Sequence, residues 1–389
     1  MSLPGAEVVV VGGGVVGCSI VYQLAKRGVQ VALVERYGLG AGTSSSCAMG
    51  VQMQTKTPGP KLAIALESLA IHRELEDELG HDFEFSNEGG MIVAETAEEA
   101  EYLQAKVADL QAHGLEIDYL DRAEAKELQP ALADHIFGST YCPDDSVANP
   151  LYLTAAYAEK AAELGARIHT YTPVVDLELG GGRIRRVVTA GGVIEVDAVV
   201  NACGVWAPDL AQMVGIDLPI VPRRGQIFVT EPAPPFIKGM VLAAQYLMSK
   251  KMPSANNGGG DDLPAGVVAY QTRRGNLLVG STREFVGFNY HVNQLGLRKL
   301  MRGTAGLLPM ARHLHVIRTF AGLRPATPDG LPILERSPEI PDFYIAAGHE
   351  GDGIALSPIT GIRMAQLITG EIEEGVLAPF ASSRFTERG

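Results

Sequence analysis

Basic residues are in short supply. Lys and Arg number 32 against 45 Asp and Glu, leaving a net charge of −13 over 389 residues. That balance argues against nucleic acid and against an anionic membrane surface as partners. Cysteine is scarce too: the four present, Cys18, Cys47, Cys142 and Cys203, are widely spaced and form no C-x-x-C. This excludes a disulfide framework, an iron–sulfur cluster and a zinc site, and points to a reducing, cytoplasmic compartment. No uncharged apolar run is long enough to span a bilayer. The apolar N-terminus lacks the basic region of a signal peptide. No Ser–His–Asp or metal-binding constellation stands out, so no metal is expected. With 46% hydrophobic and 20% charged residues, the chain has the composition of a globular protein large enough for two or three domains.

The most informative stretch lies near the start. Four valines, Val8 to Val11, read as a strand buried on both faces. They run into G-x-G-x-x-G, formed by Gly12, Gly14 and Gly17. The first glycine permits a tight turn, the second the approach of a pyrophosphate, and the third close helix–strand packing. A helix is predicted from Val15 to Arg27, stopped by Gly28, with free N–H groups at its N-terminus to face a diphosphate. A second strand, Gln30 to Val34, ends at Glu35, an acid placed for the two hydroxyls of an adenosine ribose. Strand, glycines, helix, strand and acid together make an ADP-binding unit. Arg36 to Ser46 follows as a polar, glycine-rich loop, either a plain linker or a cofactor-contacting loop whose hydroxyls supply hydrogen bonds.

Further on, amphipathic Leu62–Leu79 reads as a helix with a solvated acidic face. Met91–Ala94 reads as a strand, and Thr96 and Glu99 as a capping box opening a helix to about His113. Helices are also predicted at Arg122–Leu128, Asn149–Leu164, Asn293–Leu308 and Ile354–Ile368. Val196–Val200 is another buried strand, and the turn after it suggests that the chain returns to the nucleotide domain after an excursion. From about Leu218 to Phe320 the pattern is mostly strands. Within this region the Gly/Asn/Asp-rich segment 249–264 cannot bury a core and is expected to be mobile.

Two late stretches carry candidate chemistry. Arg324 lies between an apolar strand and a proline-rich turn. Its planar fork suits either bidentate capture of a carboxylate or a structural pair with an aspartate. Gly348 to Gly353 leads into a helix whose N-terminus would stabilise a ring that gains negative charge on reduction. His349 in that loop is either a polar contact to such a cofactor or a satisfied loop histidine.

With these residues in view, the chain resembles the D-amino acid oxidase/glycine oxidase (DAO) family of FAD enzymes along its whole length. The resemblance is carried by Gly12–Gly17 with Glu35, Thr43–Gly50, Asn201–Ala207, Pro222–Gln226, Gly322–Leu334 and Gly348–Gly361. Within the family it is most similar to the flavin-bearing β subunits of heteromeric proline, D-hydroxyproline and opine dehydrogenases and of hydrogen cyanide synthase. Gln54–Gly59, Gly275–Gly287 and Arg318–Pro325 carry that closer match. The resemblance implies a Rossmann-like FAD-binding domain interleaved with an antiparallel-sheet substrate domain, α/β in the first and α+β overall. The expected ranges are 1–85, 145–217 and 321–389 for the FAD domain, and 86–144 and 218–320 for the substrate domain. It implies FAD contacts at Gly12, Gly14, Val15, Glu35, Arg36, Ser44, Ser45, Val174, Gly204, Gly351, Gly353 and Ile354. Val16, Thr43, Gly50, Val51, Trp206, Gly348 and Asp352 join this set. It also implies Arg324 as the substrate-carboxylate ligand, with Gln54, Lys56, Tyr270 and Gln271 lining the side-chain pocket.

Two departures from related enzymes shape the expectation. Monomeric sarcosine oxidases attach flavin through a cysteine that aligns near Gly322, so here the FAD is expected to be non-covalent. The same enzymes activate oxygen with a lysine that aligns near Leu278, and a leucine cannot supply that charge. The expected activity is therefore dehydrogenation of the C–N bond of a secondary amino or imino acid, with hydride passing to flavin N5. Electrons would then leave through an α subunit carrying its own redox centre, with a small iron–sulfur subunit as a further expected partner. Peripheral association with the inner membrane would come through such partners. The alternatives are a glycine or D-amino acid oxidase using oxygen directly, and a non-catalytic FAD-binding subunit.

Overall fold

The computed structural model describes residues 2–251 and 263–385. Most of the segment expected to be mobile, 249–264, lies outside the described residues. Residues 249–251 end a helix, Ala244–Lys251.

The valine-rich strand Ala6–Val11 sits inside an eight-stranded sheet. It pairs in parallel with Val31–Val34 on one side and Gly192–Asn201 on the other. Side chains alternate between two separate cores. Val8, Val10, Val31 and Leu33 face a helical layer, whereas Val9, Val11, Ala32 and Val34 face the hairpin 174–189 and the short helix Ala207–Gln212. Burial on both faces is why this strand shows no polar alternation in sequence. The helical layer packs Val15–Lys26 against Pro150–Glu163 and Gly353–Ile368. A Cβ on Gly361 would lie 2.2 Å from Ser19 Oγ, so only glycine allows that helix crossing. Ser19 Oγ also donates to the Ser357 carbonyl at 2.8 Å.

The second sheet also has eight strands, in the order 316–326, 221–232, 276–282, 265–271, 240–243, 90–94, 138–142, 118–121. Its pairings are antiparallel except between Met240–Ala243 and Gly90–Ala94, which run parallel. One face is covered by Gln294–Leu307, where Leu300 and Leu307 pack on Phe228, Leu277 and Val279. The other face presents Ile227, Val268, Tyr270 and Leu278 towards Met49 of the first unit. The fold is thus mixed α/β, a Rossmann-like sheet joined to a largely antiparallel one. The strand Val316–Ala326, which pairs with Val221–Pro232, runs across the expected division at 320/321.

Candidate cofactor and substrate site

A cavity of about 420 Å³ runs from the start of the helix Val15–Lys26 to the edge of the second sheet. At its first end the backbone shapes the wall. Gly12 has φ +112°, and a Cβ there would lie 2.5 Å from the Ala202 carbonyl oxygen. A Cβ on Gly17 would lie 1.9 Å from the Gly12 carbonyl oxygen, which is how the helix comes so close to the strand. The helix has Gly14 as N-cap, no acid in its first turn, and a single hydroxyl, Ser44 Oγ, accepting from the Val15 N–H at 3.1 Å. Glu35 is fixed by two backbone donors, Gly13 N–H and Tyr37 N–H, each at 2.7 Å. Each carboxylate oxygen keeps a lone pair for a further hydroxyl. The Arg36 guanidinium lies 4.3 Å over the Trp206 ring.

Of the residues expected to contact FAD, Gly12, Gly14, Val15, Val16, Glu35 and Arg36 line the first end of the cavity. Thr43, Ser44, Gly50, Val174, Gly204 and Trp206 line its middle, and Gly351, Asp352, Gly353 and Ile354 its far wall. Three others stand back from it. Ser45 Oγ donates to the Gly42 carbonyl, Val51 is fully buried in the core, and Gly348 is held by a positive φ of +78°. Thr43 ties the loop to the second sheet by donating to the Leu323 carbonyl at 2.6 Å.

At the far end, side chains take over. Gly225 and Gly322 face each other across the paired strands. A Cβ on Gly225 would lie 2.3 Å from Arg324 Nη1, and one on Gly322 would lie 2.5 Å from the Ser46 carbonyl oxygen. The glycine pair therefore lets the guanidinium lie on the sheet and the 43–50 loop close over it. Among the described residues Arg324 donates only to neutral acceptors, Thr282 O at 3.3 Å and Ser281 Oγ. The aspartate in its own turn, Asp329, pairs with Arg384 instead, so the structural pair left open by the sequence does not form. Burial, and then the neighbouring Arg283, push Arg324 down to about 10, still cationic at neutral pH. His349 lines the cavity with Nε2 3.1 Å from Thr360 Oγ1, and burial holds it down at about 4, hence neutral.

The side-chain pocket expected from sequence is placed differently. Lys56 lines the cavity, but its ammonium is paired at 2.7 Å with Asp352, which Lys61 also meets at 2.7 Å. Gln54 is turned away, donating to Gly90 O and Asp145 Oδ2 and accepting from Thr140. Gln271 clamps a turn by accepting from Phe236 and Ile237 N–H groups and donating to Ala233, Pro234 and Gly275 carbonyls. Tyr270 packs within the apolar cluster around Met240. Gln54, Tyr270 and Gln271 are therefore not lining residues. A buried side-chain amide takes whatever partners the fold brings beside it, and no one-dimensional pattern shows that it has done so. Reasoning from sequence missed Tyr246, Ser281 and Glu350, which do line the cavity. Glu350 forms an ion pair with Arg223. Among the described residues no cluster of metal-ligating side chains occurs, and no helix is long and apolar enough to cross a membrane.

A glycine-shaped helix N-terminus, a carboxylate held by backbone N–H groups and a second helix N-terminus at the far end fit an FAD dinucleotide. Residues 7–367 match the family of FAD dependent oxidoreductases designated DAO. The chain belongs to that family. Among curated DAO-type relatives, a glycine oxidase of Geobacillus kaustophilus is 33% identical over 97% of both chains. Hydrogen cyanide synthase subunit HcnC of Pseudomonas aeruginosa is 30% identical, over 97% of this chain and 96% of the relative. The crystal structure of L-proline dehydrogenase from P. horikoshii superposes with a TM-score of 0.88 at 28% identity, covering 99% of each chain. The cavity is lined by residues from both sheets.

Proposed function

We propose that this chain is an FAD-dependent amino acid dehydrogenase that oxidises the C–N bond of a secondary amino acid and passes its electrons to a partner protein. The broader class, an amino acid oxidase or dehydrogenase acting on CH–NH₂ or CH–NH donors, follows from the family. One observation carries the substrate assignment. Arg324 is a cation on the cavity wall with no carboxylate partner among the described residues, beside the Gly348–Gly353 loop, where a Cβ on Gly351 would lie 3.6 Å from its Nε.

FAD, when bound, supplies the two-electron acceptor for the substrate's α-hydrogen. The protein's share is orientation and charge. Arg324 holds the carboxylate in a planar fork and so fixes which hydrogen faces the cofactor. A buried site beside that cation favours the neutral amine, whose lone pair is needed to form C=N. Neutral His349, anchored to Thr360, shapes the wall without adding charge. The helix Gly353–Ile368 directs its N-terminal N–H groups at the same region, where they would stabilise negative charge. The reading takes the FAD to be bound without a covalent link, because position 322 is a glycine pressed against Ser46; acid precipitation should then leave the yellow colour in the supernatant.

Support for an external electron acceptor comes from the apolar strand position 278, where Leu278 is buried, and from similarity to a protein named as a synthase subunit. The glycine oxidase similarity favours a second reading, direct reaction with oxygen on a primary amine. Anaerobic bleaching of the flavin's visible band against L-proline, D-hydroxyproline, sarcosine, glycine, octopine and nopaline separates the substrates. Peroxide release under air separates the electron routes. A flavin that no amine bleaches would overturn both readings in favour of a non-catalytic FAD-binding subunit.

A further inference from the structure

The far wall of the cavity carries a buried charge cluster that the substrate reading does not use. Asp352 is the N-cap residue of the helix Gly353–Ile368, a position where an aspartate ordinarily accepts from the first free N–H groups. Here its side chain makes no such bond. Instead Oδ1 lies 2.7 Å from the Lys56 ammonium and Oδ2 2.7 Å from that of Lys61. Lys56 sits in the turn that follows the strand Gly50–Val51, and Lys61 in the first turn of the helix Pro60–Leu79. Both come from segments far from Asp352 in the chain.

The cluster is more than a fastening requires. The Lys56 side chain is 2% exposed and that of Asp352 9%. Burial of this kind carries a desolvation penalty that an ion pair can fail to offset. One lysine would neutralise Asp352; the second leaves a surplus positive charge. The next carboxylate on the loop, Glu350, is paired with Arg223. His349 is neutral, and after the effect of burial it feels both charges, Asp352 favouring its protonated form and Lys61 opposing it.

Lys56, Asp352, Gly353 and Ile354 all line the cavity. The helix therefore meets the cavity with its first N–H groups uncapped by its own aspartate, and with a net positive charge at its cap. An Asp352 without the lysines would do the opposite. It would compete for those N–H groups and set a negative charge against any anion placed there.

We infer that Lys56 and Lys61 are positioning residues for the redox site: they hold the Asp352 carboxylate off the N-terminus of helix Gly353–Ile368 and reverse the sign of its charge, which makes bound FAD easier to reduce. Two electrons and one proton taken up by the neutral ring system leave it with one negative charge. A net cation at the far wall stabilises that product over the oxidised form. The inference needs FAD in the cavity and does not depend on which amine is the substrate.

Two readouts on the flavin-loaded protein test this without turnover, the two-electron midpoint potential and the affinity for sulfite. Sulfite sulfur bonds to flavin N5 and its electron pair enters the ring, so the adduct carries negative charge there and its Kd, read from loss of the visible band, follows the local field. K56M removes the surplus charge. It should weaken sulfite binding about tenfold and lower the potential by about 30 mV, which is that tenfold converted for two electrons. K61M should move both readouts the same way, and D352N should move both the opposite way. K56M/D352N has the wild-type charge count and should return both close to wild type. K56R keeps the charge and should retain most of the wild-type values.

A potential and a sulfite Kd unmoved in both lysine variants would overturn the inference and leave the cluster a fastening between two segments. A double variant further from wild type than K56M would overturn it as well, because structural damage accumulates where charge cancels. Should K56M retain no flavin, K61M and K61M/D352N carry the same comparison. No amine enters these measurements. A flavin that no amine bleaches would remove the amino acid reading and leave this inference standing.

Discussion

The two ends of the cavity are built by opposite means. At the nucleotide end the work falls to backbone: glycines without Cβ, helix N–H groups, and one carboxylate locked by two peptide donors. All of it comes from about thirty consecutive residues. At the substrate end it falls to side chains from separate segments, among them Lys56, Tyr246, Ser281, Arg324, Glu350 and Asp352. The first end offers its ligand peptide N–H groups and the remaining lone pairs of Glu35. The second holds, in Arg324, a guanidinium with no carboxylate partner among the described residues. A site that binds an invariant cofactor can be built from local geometry, whereas a site that selects a substrate must assemble unsatisfied groups and hold them by the rest of the fold.

This contrast predicts that the two ends fail differently. The largest effect should come from Gly17→Val, because its Cβ would overlap the Gly12 carbonyl oxygen. Flavin content should fall to background and stability by about 3 kcal/mol or more, read from the absorbance ratio of the purified protein and from its Tm. Arg324→Ala should leave flavin bound while raising KM for carboxylate substrates by about 3 kcal/mol in binding; flavin loss in that variant would erase the distinction between the ends. Glu284→Gln tests what separates a paired arginine from an unpaired one. It leaves Arg224 buried without its carboxylate, so stability should drop by about 3 kcal/mol. Glu35→Gln should weaken FAD by about 1–2 kcal/mol with substrate KM unchanged once flavin is saturating, measured by flavin titration of apoprotein.

The smallest effects concern pH. Burial holds His349 and His72 down at about 4, from an ordinary 6.5. Between those values the unfolded chain binds more protons than the folded one. Stability is therefore full above about pH 6.5 and declines as pH falls towards 4. A Tm series should show this slope. His72, whose Nε2 donates to the Ile354 carbonyl at 3.1 Å within the helical layer, should contribute to the slope without touching the flavin spectrum. Substituting His349 should flatten the slope and shift the spectrum as well.

Legibility in the sequence followed the same division. Val8–Val11, the glycines and Glu35 could be placed because each acts on residues near it in the chain, and the helices Arg122–Leu128 and Pro150–Glu163 were bounded by their own caps. Arg324 was visible as a candidate because its turn holds it rigid, but whether Asp329 would neutralise it was open until Arg384, from the far C-terminus, took that aspartate. Gln54, in a turn, and Gln271, at the end of a strand, were misplaced because neither a turn nor a strand's alternation says which side chains meet the cavity. Lys56 was placed at the cavity, while its pairing with Asp352, 296 positions later, left no trace in either segment.

The amino-acid sequence by itself determined a nucleotide-binding strand–turn–helix and the acid at the end of its second strand. The forces there are backbone sterics and hydrogen bonds between residues a few positions apart. Only the tertiary structure decided which cations at the far end are neutralised and which are left facing the cavity. Charge pairing depends on distances through space, and those are set when two sheets, distant in the chain, close on one another.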